Sequence, residues 1–104
     1  MNLTPELLAQ FERLSAADIQ ILPTPEVTSH FVLERGGFVV LVERRDEGFG
    51  AVGSPGLLDD AGFAVLVARD GGDAFVGKGN LRAASAEEAA TARKLYRDLR
   101  EILG

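Results

Sequence analysis

The sequence predicts an α+β domain: an antiparallel β-meander of about five strands, covered by an N-terminal helix and a long C-terminal helix. Three observations predict it. Apolar residues recur at clear helical spacing only near the two ends of the chain. The middle is rich in Val, Leu and Phe and is punctuated by glycine turns. The 104 residues, 46% hydrophobic and 26% charged, suffice for one core and therefore for a single domain spanning 1–104.

Thr4-Pro5-Glu6 opens the first helix, with a hydroxyl at the N-cap and a proline at the first helical position. Leu7, Phe11 and Leu14 follow at i, i+4 and i+7, with Leu8 beside them, as one apolar stripe. Ser15 and Asp18 offer a second capping signal, whereas Ile19 and Ile21 alternate, so 16–22 fits either helix or extended chain. Pro23 and Pro25 push the residues before them into extended conformation, which makes 22–26 a stiff connector.

Val27 to Arg35 and Phe38 to Arg45 flank Gly36-Gly37, a two-residue hairpin loop of the kind that needs positive φ. With 36–37 as the loop, Leu33 faces Val40 and Phe31 faces Val42, giving one fully apolar side. The other side pairs His30 with Glu43, Val32 with Leu41 and Glu34 with Val39. A short strand, Phe49 to Gly53, follows the turn at Asp46-Glu47-Gly48 and is expected to break at Ser54-Pro55-Gly56. Leu57 to Ala61 is expected to form one or two helical turns stopped by Gly62. Phe63 to Arg69 and Ala74 to Lys78 form a second hairpin around Asp70-Gly71-Gly72-Asp73, and both its faces are apolar. Ser85 and Glu88 make a capping box for a helix that runs to about Leu103. Its apolar stripe holds Ala92, Leu95, Tyr96, Leu99, Ile102 and Leu103.

This order (helix, three strands, short helix, two strands, helix) resembles that of the small acidic secretion chaperones of type III systems. The resemblance implies a homodimer that binds segments of other proteins. It rests on element order alone and carries over no residues.

Composition narrows the function. There is no cysteine and one histidine, so disulfides, thiolate metal sites and cysteine nucleophiles are excluded. The formal charge is -5, which argues against nucleic acid and anionic membranes as partners. Acidic residues concentrate before residue 61 and basic ones after it. Met1 to Glu6 hold neither a basic run nor a long apolar run, so no signal peptide is expected and a cytoplasmic location is the default.

Two motifs imitate phosphate-binding loops. Gly48, Gly50 and Gly53 satisfy G-x-G-x-x-G, but Ser54-Pro55-Gly56 leaves no room for the helix that would hold a pyrophosphate. Gly72 to Gly79 nearly fits G-x-x-x-x-G-K-[ST], but glycine stands where the magnesium-binding hydroxyl belongs. Both read as strands. His30 opposite Glu43 is a candidate acid–base or pH-sensitive pair, although a simple cross-strand surface pair is far more common in such a place. The acidic pairs lie in turns without cation-binding spacing, so no metal and no cofactor are expected. Arg93, Arg97 and Arg100 share a helix face, where Asp98 and Glu101 are placed to pair with Lys94 and Arg97.

No catalytic constellation converges, so no catalytic residue is assigned. The expected function is a non-catalytic interaction or adaptor module, a homodimer or a binder of another protein, with Leu41, Val32, Leu66 and Phe75 as interface candidates. The alternative is a small-molecule or nucleotide site that uses Gly48, Gly50, Gly53 and Ser54 within 48–56 as a backbone cradle.

Overall fold

In the computed structural model, which describes residues 4–23, 28–59 and 62–104, helix α1 spans Pro5–Ala16. The Thr4 hydroxyl accepts the Leu7 N–H at 3.1 Å, as the N-cap reading expects. The helix ends differently from one sequence reading, because Ser15 and Asp18 do not cap a second helix. Asp18 takes a left-handed conformation (φ 61°), donates its N–H to Ser15 O, and lets Ile19 N–H reach Leu14 O at 2.9 Å. This is a Schellman end with aspartate in the place usually held by glycine, and Leu14 and Ile19 pack in one cluster beneath it. Residues 20–22 are therefore extended.

Seven antiparallel strands follow in chain order: β1 (Gln20–Leu22), β2 (His30–Arg35), β3 (Phe38–Arg45), β4 (Gly48–Asp59), β5 (Gly62–Arg69), β6 (Gly72–Gly77) and β7 (Asn80–Ala83). Helix α2 (Ala86–Leu103) closes the described chain. The α+β meander is as expected, with two more strands than the sequence suggested. Val27, the connector at 24–26 and the pair 60–61 lie outside the described residues.

The first hairpin has the register derived from sequence. His30 pairs with Glu43, Phe31 with Val42, Leu33 with Val40. Gly36 and Gly37 both take positive φ, 64° and 91°, as a two-residue loop of this twist demands.

Three expectations for the middle of the chain are corrected. Ser54-Pro55-Gly56 does not break a strand, and 57–59 is not helical: β4 runs unbroken for twelve residues. Proline is accommodated because the ladder to β3 is irregular here. Val40 pairs with Pro55 but Val42 pairs with Val52, so β4 carries an extra residue at Gly53–Ser54. The second hairpin turns at Asp70–Gly71 alone, with Arg69 opposite Gly72. With no middle helix, the element order that carried the resemblance to secretion chaperones is absent.

Both helices lie on one face of the sheet. Leu14, Leu95 and Leu99 cluster with Phe31, Leu33, Val40 and Val42. Ala89 and Ala92 of α2 sit over Ala64, Leu66 and Phe75. The small alanines let the helix approach Phe75 closely, and that ring is 1% exposed. The opposite face is crossed by a single row, Gln20–Glu34–Val39–Gly56–Val65–Val76–Leu81, one residue from each strand. Neither described helix covers it.

Candidate functional site

The sheet is forked. β4 and β5 pair only from Gly56–Val65 to Asp59–Gly62. The next rung would join Pro55 to Leu66, and it does not form. From Gly48 to Pro55, β4 is laddered to β3 only, and from Leu66 to Arg69, β5 is laddered to β6 only. Two stretches of strand edge thus face each other inside the sheet, and Ala51, Ser54, Val67, Ala68 and Arg69 along them are exposed. Gly56 stands at the vertex, where a Cβ would run into the Ala64 carbonyl oxygen and lie 3.1 Å from Cε2 of the Phe63 ring. Only glycine lets the two strands meet there.

Each face of the fork carries a hollow. On the helix side a cavity of about 590 Å³ lies between Ser54, Pro55 and Leu66 of the strands and Arg93, Tyr96 and Arg97 of α2. The buried stripe Ala89, Ala92, Leu95 and Leu99 fixes the helix roll, which aims Arg93, Tyr96 and Arg97 sideways over the fork. A separate hollow of about 410 Å³ lies nearer the C-terminal end of α2, between Gly50–Val52 and Arg100. On the open side a hollow of about 330 Å³ is lined by His30, Leu41, Glu43, Gly53, Ser54, Phe63 and Val65. Ser54 borders the fork from both faces.

The electrostatics are uneven along α2. Asp73 grips Arg93 through both carboxylate oxygens, at 3.1 and 2.6 Å. That hydrogen bonding holds the Asp73 carboxyl below the usual aspartate range and raises the Arg93 guanidinium further. Arg100 donates to the Tyr96 hydroxyl at 3.1 Å. Lys94 pairs with Asp98, as the sequence spacing suggested, at 3.2 Å. Asp98 also accepts Arg35 at 2.9 Å. Arg97 forms no ion pair with Glu101, and neither Arg97 nor Arg100 has a carboxylate partner among the described residues. Arg97 therefore stands beside the apolar floor of Pro55 and Leu66, and Arg100 beside Gly50–Val52.

The residues singled out from sequence separate into groups. His30, Glu43, Leu41, Gly53 and Ser54 line the open-side hollow together. His30 and Glu43 are cross-strand neighbours, but each turns elsewhere: Nδ1 of His30 meets the Ser29 hydroxyl at 2.8 Å, and the Glu43 carboxylate takes Arg45. Gly48 and Gly50 belong to packing. A Cβ on Gly48 would lie 3.0 Å from the Leu7 side chain, and one on Gly50 would overlap Glu43 and Arg45. Gly53 sits 2.7 Å, by the same measure, from the Leu41 carbonyl oxygen. Gly48–Gly53 lies on a strand, not before a helix. Leu41 and Val32 do lie on the uncovered face, with Val32 buried among its neighbours. Leu66 and Phe75 do not: they are core beneath α2, and the face left open on β5 is Phe63–Val65–Val67.

The sequence reading missed the fork itself. Its one visible signal was proline followed by glycine inside an otherwise continuous apolar stretch. No metal-binding cluster of three or more ligating side chains occurs among the described residues. No protein-family model matches this chain, and no curated protein or solved structure matches it.

Proposed function

We propose that this chain is a non-catalytic protein-interaction module that self-associates through the uncovered face of its sheet. The observation that carries the reading is the composition of that face. An antiparallel sheet packed on one side usually turns polar residues to water on the other. Here Leu41, Phe63, Val65 and Val76 are half-buried there, and Val67, Leu58 and Leu81 are 38%, 46% and 59% exposed.

A second copy laid sheet to sheet would bury the open end of the row across that face, Val65, Val76 and Leu81. No described helix is long and apolar enough to cross a membrane.

The test is solution mass by light scattering across about a hundredfold dilution, for the natural chain and for Val67→Glu. Val67 is exposed on the open face, so the charge leaves the fold intact while placing a carboxylate in the contact. The expected result is a dimer that Val67→Glu converts to a folded monomer. A natural chain that stays monomeric at every concentration would overturn the reading.

A further inference from the structure

The fork has a chemistry that the sheet-to-sheet contact does not use, because its helix-side groove opens on the other side of the molecule. Three features converge in it. The first is unpaired strand edge. Leu66–Arg69 of β5 lacks a neighbour on its β4 side, so its outward N–H and C=O groups present the alternating pattern that another extended backbone satisfies. The second is charge. Arg97 lines the groove and Arg100 lines the hollow beside Gly50–Val52, neither with a carboxylate partner among the described residues, in a chain whose net charge is -5. The third is an apolar floor, Pro55 and Leu66, with the only tyrosine of the chain, Tyr96, as its wall.

We propose that this fork is a docking site for an extended acidic peptide segment of a partner protein. The segment adds its backbone to the free edge of β5 at Leu66–Arg69 and sets its carboxylates against Arg97 and Arg100. An apolar side chain between them settles on Pro55 and Leu66.

Arg93 contributes little to recognition, since Asp73 already neutralises it. Its role is to hold the N-terminal end of the groove in shape. A nucleic acid fits less well. It has no backbone amides to pair with a strand edge, and two guanidiniums without carboxylate partners on an acidic protein neutralise few phosphates.

The test is fluorescence anisotropy with dye-labelled octapeptides that alternate Glu with Val, Leu or Phe. Matching pools carry Lys in place of Glu, and an oligothymidylate of equal length serves as the nucleic-acid probe. The acidic pool is expected to bind. Arg97→Glu with Arg100→Glu, both exposed and so harmless to folding, is expected to weaken it at least about tenfold. N-methylation of the peptide amides along one edge is expected to abolish binding, and along the other edge to leave it intact. Hydrogen exchange is expected to slow at Leu66–Arg69 on binding. No binding of the acidic pool at about 0.5 mM peptide would overturn the proposal. So would equal binding of the basic pool, tighter binding of the oligothymidylate, or protection confined to β1 or β7. If the double variant instead lowers the solution mass of the free protein, the occupant is a second copy and the proposal fails. Val67 lies on the β5 edge itself, so it is the mass of the natural chain, measured apart from peptide binding, that lets the two readings stand or fall separately.

Discussion

Gly56→Ala is the substitution that most directly questions the fork. Gly56 pairs with Val39 on one side and Val65 on the other, and it is the last rung before β4 and β5 part. A Cβ there would overlap the Ala64 carbonyl oxygen, which belongs to a laddered strand and has little room to yield, and would press on the Phe63 ring at 3.1 Å. Inserting one methyl group into a packed site costs about 1–3 kcal/mol. The clash here is with backbone, so the upper part of that range, about 2–3 kcal/mol, is expected. For a domain of this size each kcal/mol moves Tm by about 4–8 °C, so a fall of about 10–20 °C should follow. Far-ultraviolet circular dichroism melts measure it. Gly71→Ala is the control: it lies in the β5–β6 turn with nothing within 4 Å of its added methyl group. It should stay within about 0.5 kcal/mol of the natural chain. Equal melting temperatures for the two variants would refute the claim that close approach at Gly56 sets the vertex.

Three further outcomes are expected. Ser85→Ala removes a capping box in which the hydroxyl accepts Glu88 N–H at 3.0 Å and the Glu88 carboxylate accepts Ser85 N–H at 2.9 Å; about 1 kcal/mol should be lost, read as a lower urea midpoint. Leu99→Ala empties a fully buried position against the first hairpin and should cost about 2–5 kcal/mol in the same assay. Acid should destabilise the fold. Burial works against ionisation of Asp98, but Arg35 and Lys94 more than offset it and hold its carboxyl below the usual range. The Ser85 amide and Arg82 do the same for Glu88, and Arg93 does so for Asp73. The unfolded chain therefore binds protons at a higher pH than the folded one. Stability from these groups is complete above about pH 5 and is lost as pH falls through the folded-state values. Asp98→Asn should flatten the acid limb of a stability–pH curve, and an unchanged limb would show that the Arg35–Asp98 tie carries none of the effect.

How legible the fold was depends on whether each feature is local. The Gly36-Gly37 hairpin was readable to the residue, because a two-residue loop fixes register and a one-residue slip would turn Phe31, Leu33, Val40 and Val42 away from the core. Both helix starts were readable for the same reason: Thr4 and Ser85 cap through bonds three residues long. The faces of the second hairpin were not. Both are apolar, and only the alanines of α2, remote in sequence, decide that Phe75 goes in while Val67 stays out. Strand β7 was hidden because its pairing with β6, not its own pattern, makes it a strand.

Pro55 shows why the candidate site escaped a reading by local rules. In sequence Ser-Pro-Gly is turn punctuation, and a central strand has no use for a residue without an N–H. Both rules hold here, and their outcome is a fork. β4 is central by strand order yet has only one neighbour from Gly48 to Pro55, so proline occupies a strand that is locally at an edge. Gly56, the next residue, restores two-sided pairing by having no side chain to obstruct Ala64 and Phe63. The dipeptide thus ends a pairing, not a strand. One consequence separates this account from a turn-like weakness in β4. Pro55→Val should supply an N–H and a β-branched side chain suited to the ladder, so the strand itself should gain stability. If proline holds the fork open, the new residue should also let β4 and β5 zip past Gly56. Hydrogen exchange at Leu66–Arg69 should then slow in the free variant as it would under a bound peptide, and the acidic octapeptides should lose their site. Unchanged exchange at Leu66–Arg69 in a more stable Pro55→Val chain would mean that the bulge at Gly53–Ser54, not the proline, keeps the strands apart.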